Sequence, residues 1–141
     1  MVQQVAGVWT SSGQRGDAKD RRGAEMQGYR VGDLLFISGQ AAIDQTGRIV
    51  GVGDFEAQAK QTFENLDRVL RAGGSSLRNV VKVTIFLTDM TNFGRIVKLR
   101  GNWFTAPYPA DTIVEVRSLY SPDAMIEIEA IAVADSAAEW E

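Results

Sequence analysis

The apolar segment from Met125 to Val133 constrains the fold of this chain more than any other stretch. Under the two-residue alternation of a strand, Ile126, Ile128, Ala130 and Ala132 share one face and Glu127, Glu129, Ile131 and Val133 the other. Both faces are substantially apolar, so the strand asks for cover on two sides. Two carboxylates on such a strand must find partners, line a cleft or sit at a subunit boundary, because an unpaired buried carboxylate is costly. The plainer alternative is that both are exposed or paired strand residues.

What can cover that strand is written upstream. Phe55, Ala59, Phe63, Leu66 and Leu70 recur at three- and four-residue intervals, while Glu56, Lys60, Glu64, Asp67 and Arg71 take other faces. This spacing predicts an amphipathic helix to about Ala72, laid on a sheet, with Asp54 as its N-cap and Gly73-Gly74 as its stop. Val80 to Leu87 reads as a strand rich in β-branched residues. Thr88 to Asn92 supplies capping chemistry for a second helix from about Phe93 to Phe104, weakened by Gly101 and broken by Pro107 and Pro109. Tyr29 to Ala42 reads as strand, with a turn at Gly32-Asp33 and a run from Leu34 to Gly39 that looks buried on both faces. A turn at Asp44-Gln45-Thr46-Gly47 and a short strand from Arg48 to Val50 follow. Asp111 to Ser118 and Met125 to Val133 complete the set. Residues 1 to 27 are the least regular, with one short strand expected near the start. The order of strands, helix, strand, helix and two strands predicts an α+β fold with two helices on one face of a mixed sheet.

Composition bounds the chemistry. The 141 residues, 45% hydrophobic and 23% charged, suit one domain with one core. The chain has no Cys and no His, which excludes disulfides, a Ser-His-Asp triad, a Cys-His dyad and the usual zinc sites. Acid-base work falls to Asp, Glu, Lys or Tyr. A net charge of -3 gives no counterion-release drive toward nucleic acid, and Lys19, Arg21 and Arg22 stand beside Asp17 and Asp20 rather than in a basic patch. No apolar run approaches the roughly eighteen residues of a membrane span, and Met1-Val2-Gln3-Gln4 does not open a signal peptide. A cytoplasmic location is the expectation.

An ordered set of segments resembles the Rid/YjgF superfamily over about residues 29 to 134. These are Ser38-Gly39-Gln40 ending a hydrophobic strand, the Asp44 to Gly47 turn, Gln61 with Asn65 and Leu66, Val80 to Asp89, Pro109-Ala110, Val114-Glu115-Val116, and Ile126 to Ala132. The resemblance implies a chorismate-mutase-like fold, a homotrimer whose sheets form a central β-barrel, clefts between adjacent subunits, and neither cofactor nor metal. It further implies an imine or enamine deaminase in which Glu127 orients or activates the attacking water and assists proton transfer. The backbone at Ser38 and Gly39 would border the pocket, with Ile113 beside it and Tyr29 as the nearest candidate for an N-terminal aromatic.

The chain departs from the pattern after Pro109-Ala110, where deaminases of the family place an arginine that grips the substrate carboxylate. Asp111 stands there. An anion at that point shifts the preferred ligand from a carboxylate toward an amine, a guanidine or a neutral polar group. Asp111 at the start of a strand could equally cap a turn. Arg117, on the same strand face, could replace the missing arginine, although a pair with Glu115 or with a neighbouring subunit is the more natural use. Val97 and Ala42 also depart from the family's usual residues. Three functions are compatible with these features. The chain could be a cofactor-free hydrolase acting on a C–N bond of a small metabolite, for example in catabolism or metabolite repair. It could instead be a trimeric small-molecule binding or regulatory protein that has lost the chemistry. Ribonuclease or translation inhibition ranks last, because the charge and the absence of His leave neither phosphate binding nor the usual acid-base pair.

Overall fold

The computed structural model describes residues 2–4 and 27–135. The expected α+β fold is observed. Six strands, β1 (Val2–Gln4), β2 (Gly28–Val31), β3 (Leu34–Ala41), β4 (Val80–Leu87), β5 (Ala110–Glu115) and β6 (Ile126–Val133), form one sheet in the order β1-β2-β3-β6-β4-β5. Every neighbouring pair is antiparallel except β4 with β5. That parallel pair needs a crossover, which helix α2 (Phe93–Arg100) supplies. Among the described residues, no helix is long and apolar enough to cross a membrane.

Helix α1 (Phe55–Ala72) forms where its periodicity predicts. Asp54 Oδ1 accepts a hydrogen bond from Ala57 N at 3.1 Å, and Gly73 and Gly74 close the last turn, the latter at φ 83. Its buried side packs on β3 and β6, so that Leu35, Ile37, Val83, Ile85, Ile126, Ile128, Ala130 and Ala132 form one core with Phe63, Leu66 and Leu70. Phe63 stacks on Trp103 at 5.4 Å between centroids and meets Phe104 edge-on at 5.6 Å.

Helix α2 stops at Arg100 rather than reaching Phe104. Gly101 closes it, and Trp103 and Phe104, whose N–H groups both bond to Arg100 O, turn back onto Phe63. Packing of two aromatic rings outweighs one more helical turn. No strand forms over 48–50. Ile43 and Ile49 make a single bridge, and Asp44 Oδ1 takes the N–H groups of Thr46 (2.8 Å) and Arg48 (3.1 Å), tightening the reversal instead of extending it. Strand β5 ends at Glu115, three residues earlier than expected. The short initial strand is β1, while Val5, Val8, Trp9 and the charged stretch at 17–22 lie outside the described residues.

The expectation that Leu34 to Gly39 is buried on both faces is corrected. Leu35 and Ile37 are buried under α1, whereas Leu34 and Phe36 are 39% and 41% exposed. Both helices lie on one side of the sheet, and among the described residues no element packs over the other.

Two buried amides fix the loops that frame the sheet. Gln58 donates to Gly51 O (3.1 Å) and Asp123 O (2.8 Å) and accepts from Met125 N (2.9 Å). Asn65 donates to Ala41 O (2.8 Å) and Ile43 O (2.9 Å). Helix α1 thereby holds the end of β3 and the entry to β6 in fixed positions.

Candidate active site

Between Ile37 and Gln40 the ladder of β3 with β6 shifts register: Ile37 faces Ala130, but Gln40 faces Ile128. One extra residue on β3 makes this a β-bulge, which bends the strand and re-aims its side chains. The bulge is tied from below. Ser38 N and Oγ both donate to Gln27 O, at 3.0 and 3.1 Å. The buried Gln40 amide donates to Ser38 O (3.0 Å) and to Gln27 Oε1 (2.9 Å). Gln27 is itself buried, and its Nε2 has no partner among the described residues.

Glu127, half-buried on β6, faces Ala41 on one side and Phe86 on the other. Its carboxylate lies directly over Gly39. A Cβ built on Gly39 would come within 2.8 Å of Glu127 Cδ, and closer still to Oε1. Only glycine leaves room for the carboxylate there, a requirement of space and not of backbone angle. Three of the predicted residues, Ser38, Gly39 and Glu127, therefore meet at one notch.

Tyr29 lies on the same open face as Glu127. It borders a recess of about 330 Å³ with Phe36, Ser38, Lys82, Thr84 and Glu129. Lys82, not singled out from the sequence, crosses the floor of the sheet to donate to Thr112 Oγ1 at 2.9 Å.

Asp111 and Ile113 are elsewhere. In the parallel register Val83 faces Asp111 and Ile85 faces Ile113, and Val83 and Ile85 are buried on the helix side. Asp111 thus projects toward α2, where Arg100 Nη1 forms an ion pair with its Oδ2. Both line a second recess of about 330 Å³ with Val97, Phe104, Tyr108 and Pro109. Ile113 packs against the core. The turn-capping alternative for Asp111 is not what is observed. Nor does Glu115 pair with Arg117: Glu115 Oε1 accepts from Met90 N at 2.8 Å. A single chain therefore carries two separate groups of site residues, one on each face of its sheet. Arg100 was missed because it stands eleven residues before Asp111 across a loop with two prolines, and no periodicity links them.

Among the described residues, no cluster of three His, Cys, Asp or Glu side chains could hold a metal ion. Asp44 and Asp89 are held below the usual carboxylate range, each chiefly by a side-chain hydrogen bond, from Thr46 and Thr91 respectively. Both are turn residues and lie outside the notch.

A family profile described as Endoribonuclease L-PSP matches residues 20–134. The chain belongs to this Rid/YjgF family. It is 43% identical over 111 residues to a RutC family protein of Pyrococcus horikoshii, covering 78% of this chain and 86% of the relative. It is 38% identical over 112 residues to the mouse 2-iminobutanoate/2-iminopropanoate deaminase, covering 79% and 82%. Among solved structures, RidA from an Antarctic Psychrobacter superposes with a TM-score of 0.75 at 35% identity, covering 81% of this chain and 91% of that one. The family fold, including the mixed sheet with two helices, is the one described above. Rid/YjgF membership also accounts for the run of matched segments between Ser38 and Ala132.

Proposed function

We propose that the protein is a cofactor-free hydrolase of small imines or enamines, working in clefts between the subunits of a homotrimer. The observation that carries this reading is the Glu127 carboxylate seated over Gly39 beside Ser38. A half-buried acid in a notch that only glycine permits is a positioned group, and a carboxylate is sufficient for this reaction. The imine carbon is already electrophilic. Glu127 takes a proton from water as its oxygen bonds to that carbon, and returns a proton to the nitrogen. In the second half, the C–N bond breaks as the new hydroxyl loses its proton through Glu127, releasing ammonia and a carbonyl compound. An enamine enters the same course after protonation at carbon.

The division of the site residues supports the trimer. Glu127, Ser38, Gly39 and Tyr29 face the side of the sheet away from the helices, Asp111 and Ile113 the helix side. A cleft that uses both groups needs two chains. The exposed Leu34, Phe36, Tyr29, Val31 and Val133 form an apolar surface of the kind that subunit contacts cover. The reading treats the chain as one domain, 1–141, at work in the cytoplasm in metabolite repair or catabolism. Relatives named as imine deaminases at 37–38% identity support the reaction class.

The test is Glu127→Gln assayed on freshly generated small imines. The amide keeps the shape but cannot accept the proton, so turnover should fall by about a hundredfold or more, while sedimentation still reports a trimer. A stable Glu127→Gln trimer with unchanged turnover would rule out this mechanism.

A further inference from the structure

Arg100 and Asp111 are together in one recess, and neither is fully used by the other. Arg100 offers Nη1 to Asp111 Oδ2, and among the described residues its Nε and Nη2, and Asp111 Oδ1, have no hydrogen-bond partner. The two side chains are 29% and 28% exposed, so a ligand entering the recess reaches both. The remaining walls, Val97, Phe104 and Pro109 with the ring of Tyr108, are mainly apolar.

The polar end of this recess is thus electrically neutral, and it presents N–H donors directly beside a carboxylate acceptor. A free carboxylate meets the guanidinium only together with the charge of Asp111, so most of the attraction is cancelled. A free ammonium is opposed in the same way by Arg100. A neutral group with a carbonyl and an N–H side by side matches both partners at once, its oxygen on Arg100 and its N–H on Asp111, and it gives up less hydration on entering an apolar-walled recess.

We infer that the Arg100–Asp111 pair is a specificity element that recognises a carboxamide or carbamoyl group, so that the substrate is an imine or enamine carrying a neutral amide in place of a free acid. This rests on the hydrolase reading for the reacting bond, but the recognition itself is a matter of binding and is measured without turnover.

The experiment is calorimetric or NMR titration of the assembled protein with pyruvamide, pyruvate and alanine, which share a three-carbon skeleton and differ in charge. Pyruvamide should bind the wild type about tenfold or more tightly than either other probe, the discrimination expected when a polar site is matched or left unpaired. Arg100→Gln should weaken pyruvamide by about tenfold, because the carbonyl loses its charged donor. Asp111→Asn should reverse the order in favour of pyruvate, because the guanidinium charge is no longer cancelled. Thermal melting of each variant separates this from a merely structural pair, whose loss would lower the midpoint and leave the order of the probes unchanged. The inference is overturned if the wild type prefers pyruvate or alanine, if none of the three binds, or if both variants keep the wild-type order. Loss of turnover in Glu127→Gln with a preference for pyruvate would leave the hydrolase reading standing and this one refuted. Unchanged turnover in that variant with the amide preference intact would refute the mechanism assigned to Glu127 and leave the amide recognition standing.

Discussion

Both faces of the sheet carry apolar side chains and use them differently. On the helix side, Leu35, Ile37, Ile85, Ile126 and Ile128 are sealed under α1. On the other, Leu34, Phe36, Val31 and Val133 remain 39–41% exposed and are interleaved with Ser38, Lys82, Glu127 and Glu129. The first face makes the subunit; the second has polar groups at intervals that a sealed core would not tolerate. The difference runs through one strand, β6, whose even-numbered residues are sealed in the core and whose odd-numbered ones, Glu127 among them, stand on the open face.

The comparison breaks most visibly if the faces respond alike to truncation. Phe63→Ala on the sealed side should destabilise the subunit by about 3–5 kcal/mol, because the cavity beneath Trp103 and Phe104 cannot refill. Phe36→Ala should leave the subunit core intact and act through assembly, so that its melting midpoint depends more steeply on protein concentration than that of the wild type. Denaturant unfolding at two concentrations distinguishes the two, and equal, concentration-independent losses would remove the distinction.

Gly39→Ala sharpens the contrast within the open face. The added methyl must displace the Glu127 carboxylate, so activity should fall by roughly the factor lost when a general base is removed, on the order of a hundredfold, with a smaller change in melting temperature. Wild-type turnover in this variant would show that the carboxylate need not sit in the notch.

The smallest effect is a control that touches neither face. Hydrogen bonds from Thr46 and Arg48 hold the Asp44 carboxyl below its usual value of 3.8 in the folded chain. A carboxyl depressed by folding stabilises above its unfolded value, and that contribution disappears as the pH falls through the lower folded value. Asp44→Asn should therefore slightly flatten the loss of stability below about pH 4, read as melting temperature against pH, and should leave assembly unchanged. A variant curve parallel to the wild type across that range would show that Asp44 does not contribute.

Much of the helix side was legible because its signals are local and periodic. The spacing from Phe55 to Leu70, the Asp54 cap and the alternation from Ile126 to Val133 fix α1 and β6 within a residue or so. The end of α2 was not legible, since the attraction of Trp103 and Phe104 to Phe63 is tertiary. The stretch 48–50 misled because its residues suit a strand, while the side chain of Asp44 spends the neighbouring N–H groups on a turn. For the candidate site, residue types and approximate places could be read, and the resemblance assigned Glu127, Ser38 and Gly39 to one pocket. What could not be read is that Asp111 points through the opposite face and already has a cation. Pairing of that kind depends on where the loop from Gly101 to Pro109 returns, and side-chain alternation alone carries no information about it.

Gln58 has a consequence in time. Its amide, fully buried on α1, reaches Gly51 seven residues back and Asp123 and Met125 more than sixty residues ahead. The helix can begin to form from its own neighbours, and Gly51 O is within local reach of the amide, but its bonds to Asp123 O and Met125 N wait for the far end of the sheet. Docking the wrong strand against α1 would bury that amide without partners, whereas docking β6 in register satisfies it at once. A single glutamine thus couples the packing of α1 to the residues that lead into the strand carrying Glu127.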